Sequence, residues 1–121
     1  MEVRGQNFKS SFVASGNLSQ WRFFIANGLD AYLPTSGVLV TGVTQSHPND
    51  NEHLESVTLG HTKITLASSL GNNIPIATGN NGFAIRASSG QFVAGLLVTG
   101  TTSGCPGEMI LSPGYLMASS Y

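Results

Sequence analysis

The chain has 121 residues and is most simply one domain. Only 9% of its residues are charged, where globular averages run near about 25%, and the formal net charge is −1. With five Lys and Arg spread along the chain, there is no basic footprint for nucleic acid and no polybasic segment for an anionic membrane.

Fifteen Gly and five Pro punctuate short runs rich in Val, Ile, Leu, Thr and Phe. That texture is all-β. No window sustains an i, i+3, i+4, i+7 apolar pattern over three turns. Met1 to Lys9 lack the apolar stretch of a signal peptide, so the expectation is a soluble protein made in a cytoplasm. Residues 1–18 are polar with isolated Phe8, Phe12 and Val13, have no nearby pairing partner, and are expected to form an extended arm. Residues 19–112 are the expected core and 113–121 an irregular tail. Trp21-Arg22-Phe23-Phe24-Ile25 is the first strand, closed by the Asn27-Gly28 turn signal. Alternation puts Trp21 with Phe23 on one face and Phe24 on the other, so one set is core and the other is covered by a neighbour or the tail. Ala31 to Leu33 is a short strand before the Pro34–Gly37 turn. Val38 to Val43 is apolar on both faces and should be central.

Ser46 to His53 is a polar loop. Val57 and Leu59 are expected to point inward. Ile64 and Leu66 alternate one residue out of phase with them, which places a bulge or tight turn at Gly60. Pro75 cannot donate to a ladder, so Ile74 to Ala77 is expected at a sheet edge. Asn81-Gly82 is the strongest hairpin signal, with Phe83 and Ile85 facing in and Arg86 and Ser88 facing out. Gly-Asn-Asn occurs at 71–73 and again at 79–81, as turn chemistry used twice. Phe92 to Val98 is apolar on both faces and should be buried; it is far shorter than the roughly 20 residues of a spanning helix. Glu108 to Leu111 is the last strand, closing a barrel or sandwich.

Chemistry-bearing residues are sparse. His47, His53 and His61 lie close in sequence, with Asp50, Glu52 and Glu55 as oxygen donors, but without the tight spacing of metal sites. A solvated loop is the favoured reading. The lone Cys105 excludes an intrachain disulfide and sits in a Gly-Cys-Pro turn with no assignable base. No Gly-x-Ser-x-Gly elbow is present. The Gly79–Gly82 loop lacks the Lys and helix of a phosphate site. No enzyme activity, cofactor or metal is expected.

Four stretches carry a family resemblance. They are Gly42-Val43-Thr44-Gln45; Glu55-Ser56-Val57-Thr58-Leu59-Gly60-His61-Thr62-Lys63-Ile64-Thr65-Leu66; Gly79-Asn80-Asn81-Gly82-Phe83-Ala84-Ile85-Arg86-Ala87-Ser88; and Phe92-Val93-Ala94-Gly95-Leu96-Leu97-Val98. In order and spacing they resemble the small capsid decoration (cement) proteins of tailed bacteriophages. The opening Asn7-Phe8-Lys9-Ser10-Ser11-Phe12-Val13-Ala14, followed by Leu18-Ser19-Gln20-Trp21-Arg22, is similar to the start of family members. The resemblance implies a small β-barrel or β-sandwich (β-tulip-like) core with an extended N-terminal arm. It implies a homotrimer, with a dimer as the alternative, on the outer surface of an icosahedral phage capsid. There it would clamp adjacent major capsid subunits and stabilise the virion without catalysis, nucleic acid or membrane. Asn7, Phe8, Lys9, Phe12, Val13 and Trp21 are the expected capsid or inter-subunit contacts. The rival expectation is a carbohydrate-binding or host-adhesion module using Trp21 and Tyr32 with Asn80 and Asn81.

Overall fold

The computed structural model describes residues 8–88 and 90–112, with residues 8–11 described as backbone only. Nine strands follow in order: β1 (Phe8–Ala14), β2 (Phe23–Asn27), β3 (Asp30–Tyr32), β4 (Gly42–Thr44), β5 (His53–Thr65), β6 (Ile74–Thr78), β7 (Ala84–Arg86), β8 (Gly95–Thr99) and β9 (Pro106–Leu111). A single 3-10 turn at Asn80–Gly82 is the only helical element among the described residues.

The first five strands close on themselves in the order β1-β3-β2-β4-β5, with β1 pairing back to β5. This is a five-stranded barrel. β5 then leaves the barrel and begins a second sheet, β5-β9-β8-β6-β7. That sheet is drawn back towards its own first strand by one parallel bridge, Leu66 to Ala84, where the Ala67 amide donates to the Ala84 carbonyl at 2.9 Å.

The expected arm is therefore, from Phe8 on, part of the barrel wall. β1 runs antiparallel to β5, with Phe12 opposite Leu54 and Val13 opposite His53. The partner that sequence reading did not find lies some forty positions downstream, where local pattern cannot see it. Residues 1–7, and the expected tail 113–121, lie outside the described residues.

Two cores result, one on each side of the shared barrel wall. Phe12, Ala14, Phe24, Ala26, Ala31 and Leu54 face the barrel lumen with Leu18. Phe23, Val43 and Val57 face the opposite way and pack against Ile64, Leu66, Ile76, Leu97, Met109 and Leu111 of the second sheet. Consecutive residues Phe23 and Phe24 are thus both fully buried, each in a different core. Burying each ring contributes about 1.5–3 kcal/mol, which explains why neither face of β2 could be polar.

β5 serves both cores by slipping phase. Lys9 is opposite Val57 but Phe8 is opposite Leu59, so Thr58 is the extra residue of a bulge. Gly60 follows at φ +114°, a backbone conformation that L side chains rarely adopt. Beyond it the buried positions are Thr62, Ile64 and Leu66 rather than the odd-numbered residues. The slip falls where alternation places it, but Leu59 lies on the exposed side of it, at 41%, and not inward.

Other expectations are corrected by the second sheet. β6 is interior, between β7 and β8. Pro75 is tolerated because its carbonyl accepts from Ala87 on the β7 side, and the missing N–H points the same way, past the end of β7 at Arg86. Around β7, Arg86 and Ser88 are exposed as expected, but Phe83 and Ile85 are only half-buried and Ala84 between them is the buried residue. Ile85 packs with Ala77, Ala87 and Val93 in a small cluster of its own. In β8 Leu97 is buried but Leu96 is 39% exposed. The buried hydroxyls are satisfied. Thr44 Oγ1 donates to the Ser19 carbonyl at 2.6 Å and accepts from the Arg22 amide at 3.0 Å. Thr62 Oγ1 accepts from Gln45 Nε2 at 2.7 Å.

Candidate interaction surfaces

The residues expected to form an interface fall in different places. Asn7 lies outside the described residues. The Phe8 and Lys9 backbones are registered with Leu59 and Val57 at the start of β1. Phe12 turns into the barrel lumen, where its ring meets Phe24 edge-on with centroids 5.3 Å apart. Val13, one residue on, is half-buried and pairs with Asp30 and His53.

Trp21 is not in a strand. It takes a left-handed conformation, φ 57°, which costs a non-glycine residue on the order of 1–3 kcal/mol unless the surroundings hold it. Its amide donates to the Thr44 carbonyl at 2.8 Å, and its carbonyl accepts from the Thr65 amide at 2.8 Å. Trp21 therefore ties β4 of the barrel to the far end of β5. The Lys63 ammonium sits 5.0 Å above its half-buried ring. Arg22, next in sequence, does the same work for the β6–β7 turn. Its guanidinium lies 3.7 Å over the Phe83 ring and donates to the Asn81 carbonyl at 3.2 Å. Desolvation by partial burial pulls the guanidinium below its ordinary pKa.

Both Gly-Asn-Asn turns use their amides alike. Asn73 and Asn81 take positive φ. Asn72 Oδ1 accepts from the Gly100 amide at 2.8 Å, and Asn80 Oδ1 from the Ser36 amide at 3.0 Å. Each pair both reverses the chain and holds a distant loop.

Three surfaces were not legible from sequence. On the outer face of the second sheet, Leu96 and Ile110 are direct cross-strand partners, 39% and 48% exposed. The row continues to Pro75 on one side and His61 on the other. His61 Nε2 lies 3.4 Å from Glu108 Oε1. Beside the β5 bulge is an apolar groove of about 610 Å³ lined by Ile25, Leu39, Val40, Thr41, Thr58 and Leu59. Near the loop that precedes β5, a shallow polar cleft of about 490 Å³ is lined by Gln20, Gln45, His47, Glu52 and His53 among others. An over-long run of apolar β8 residues was the one available sign of the first surface. Such a run is equally compatible with burial on both faces.

The chemistry-bearing residues converge only in part. His47 and His53 line the polar cleft, whereas His61 is on the second sheet. Among the described residues no group of three or more His, Cys, Asp or Glu is placed to hold a metal ion. Cys105 is exposed, with the Thr102 hydroxyl 3.4 Å from its sulfur.

No family model matches the chain, and no curated protein matches it in sequence. Solved structures do match in fold. One is the N base of the head fiber gp8.5 of bacteriophage phi29, with a TM-score of 0.75 at 14% sequence identity, spanning 93% of this chain and 100% of that one. The all-β architecture described above is thus similar, over nearly its whole length, to that of a phage head fiber base.

Proposed function

We propose that this chain is a structural component of a bacteriophage virion that decorates an icosahedral capsid from outside and stabilises it by bridging adjacent major capsid subunits. The observation that carries the reading is the fold likeness to a phage head fiber base over 93% of the chain. The resemblance of the Gly42–Gln45, β5 and β7–β8 sequences to decoration proteins supports the finer part, capsid bridging. The protein acts by binding and not by catalysis, with no cofactor. Its partners are the major capsid protein and further copies of itself, as a homotrimer or, alternatively, a dimer. It is made in the host cytoplasm and resides on the virion.

The physics of such a role asks for little chemistry. Several copies held together bind a shell through effective concentration, with no single strong contact needed. A surface with few charges gives binding that salt screens only weakly. In this reading Phe8 and Lys9, at the head of β1, and Asn7 before them contribute to the contact with Val13 and Trp21. Phe12 supports that face from inside the barrel. A glycan-binding module is less well supported, because the Trp21 ring is already capped by Lys63 and the Asn80 carboxamide is engaged by Ser36.

Light scattering on purified protein, with and without expanded capsid shells, tests the proposal. Saturation of shells at a fixed stoichiometry is expected, lost when residues 1–9 are removed. A monomer that ignores shells would overturn the reading and make glycan screening the next step.

A further inference from the structure

We infer that Asn27, at the tip of the β2–β3 hairpin, is a site of spontaneous covalent modification, losing its carboxamide as ammonia through a cyclic imide formed with the Gly28 nitrogen. In the first step the Gly28 nitrogen bonds to Asn27 Cγ and the Cγ–Nδ2 bond breaks. Nδ2 leaves as ammonia, carrying the proton of the Gly28 amide. Water then adds its hydroxyl to either ring carbonyl and returns a proton to the nitrogen as that N–C bond breaks. The product is an aspartyl or isoaspartyl residue, and nothing is oxidised or reduced. The attack needs a successor without a side chain to crowd its nitrogen. Asparagine precedes glycine at two places, 27–28 and 81–82.

The fold separates the two. For attack, the asparagine must turn about its Cα–C bond so that the next nitrogen swings towards its own side chain. Asn27 and Asp30 face each other across the ladder, with Gly28 and Leu29 as the two-residue loop. Gly28 takes φ 64°, the positive value that the first position of such a loop needs. No atom lies within 4 Å of where its Cβ would stand. Asn27 and Gly28 are both exposed, and among the described residues nothing bonds the Gly28 amide or the Asn27 carboxamide. Only the end pair of the hairpin has to loosen, a local opening of low cost. At the other site the Asn81 amide donates to the Pro34 carbonyl at 3.1 Å, and its carbonyl accepts from the Arg22 guanidinium at 3.2 Å. Gly82 is buried, its amide donates to the Gly79 carbonyl at 3.3 Å, and a Cβ there would overlap the Phe23 carbonyl oxygen. Turning Asn81 would drag buried backbone across β2. Modification of Asn27 places a carboxylate opposite Asp30, a destabilising like-charge pair. It does so beside Leu29, whose carbonyl takes the Val13 amide at 2.7 Å where β3 meets β1. The barrel seam bears the consequence.

Peptide mapping by mass spectrometry tests this on the full chain, held in mildly alkaline buffer made with heavy-oxygen water. Label is expected at residue 27 at about ten times the rate at residue 81 or more, a ratio that a modest difference in opening cost supplies. In urea, where neither site has a fold around it, the two rates are expected to be similar. Similar rates in the folded chain, or faster labelling at 81, would overturn the proposal. So would a folded chain that stays unlabelled at 27 while the unfolded chain converts. A preference for 27 that persists in urea would also overturn it, by assigning the difference to neighbouring sequence. Asn27→Gln, whose longer side chain requires a larger ring, is expected to abolish label in that peptide and leave the rate at 81 unchanged. Label persisting there would overturn the assignment to Asn27.

Discussion

Replacing Phe12 with Ala separates two roles for that ring, a contact with another subunit and a plug in the barrel. In the structure the ring is half-buried in the lumen, edge-on to Phe24 at 5.3 Å and an interplanar angle of 65°. Truncating a fully buried Phe costs about 3–5 kcal/mol. Phe12 is only partly enclosed, so about 2 kcal/mol is expected, of which about 0.5–1.5 kcal/mol is ring-on-ring coupling. With a urea m-value of about 2 kcal/mol/M, the unfolding midpoint of the isolated protein falls by about 1 M. Phe24→Leu keeps the lumen filled while removing the second ring, and the double variant completes a cycle that isolates the coupling. No partner need be present for any of this. A midpoint unchanged to within about 0.2 M would refute the lumen placement and return Phe12 to the interface.

Gly42→Ala would place a Cβ 2.6 Å from the Val57 carbonyl oxygen and 3.0 Å from the Phe24 ring; the overpacking costs about 1–3 kcal/mol and lowers Tm by about 4–12 °C, and an unchanged melting curve would contradict the close approach of β4 to β5. Deleting residues 1–7 leaves the far-ultraviolet circular dichroism and cooperative unfolding intact, whereas deleting 1–15 removes β1, opens the barrel and abolishes cooperative unfolding; a cooperative 1–15 deletion would make the segment an arm after all. Lys63→Ala removes the ammonium over Trp21, the single tryptophan of the chain; the emission spectrum shifts while stability changes by no more than about 1 kcal/mol, and an identical spectrum would mean the contact is absent in solution. Capsid affinity, if the proposed function holds, changes less than about ten-fold between low and high salt, because few charges are available to be screened; a steep salt dependence measured by co-sedimentation would argue for an interface built on the scattered ionic residues.

What was legible in the sequence was local. Turn residues marked the strand ends, and Asn81-Gly82 has the two positive φ values its residue types suit. The phase slip in β5 was visible because Ile64 and Leu66 sit on the wrong parity relative to Val57. What was not legible was two-sidedness. Alternation assumes one core, so a strand between two cores, such as β2, reads as having a face in need of a partner. The same assumption made Leu96 look buried, because a continuous apolar run cannot distinguish two buried faces from one buried and one exposed. β1 was missed for a different reason. Its Phe12 and Ala14 alternate as a half-buried strand should, but the pairing that makes them a strand is non-local. The candidate surfaces were less legible still, since Leu96 meets Ile110 only through strand register, and Leu59 meets Ile25 and Leu39 only through the closure of the barrel.

The path of β5 also orders the birth of the molecule. All five barrel strands lie within residues 8–65, so the barrel can close while the second half of the chain is still being synthesised. The second sheet cannot, because β5 reaches β8 only through β9, which ends at Leu111. Until β9 emerges, Phe23, Val43 and Val57 face outward with their cover unfinished. At about 5–20 residues per second that interval lasts a few seconds. During it the nascent chain exposes an aromatic and aliphatic wall that invites chaperone capture or self-association, and sequences that slow translation between β5 and β9 would lengthen the exposure.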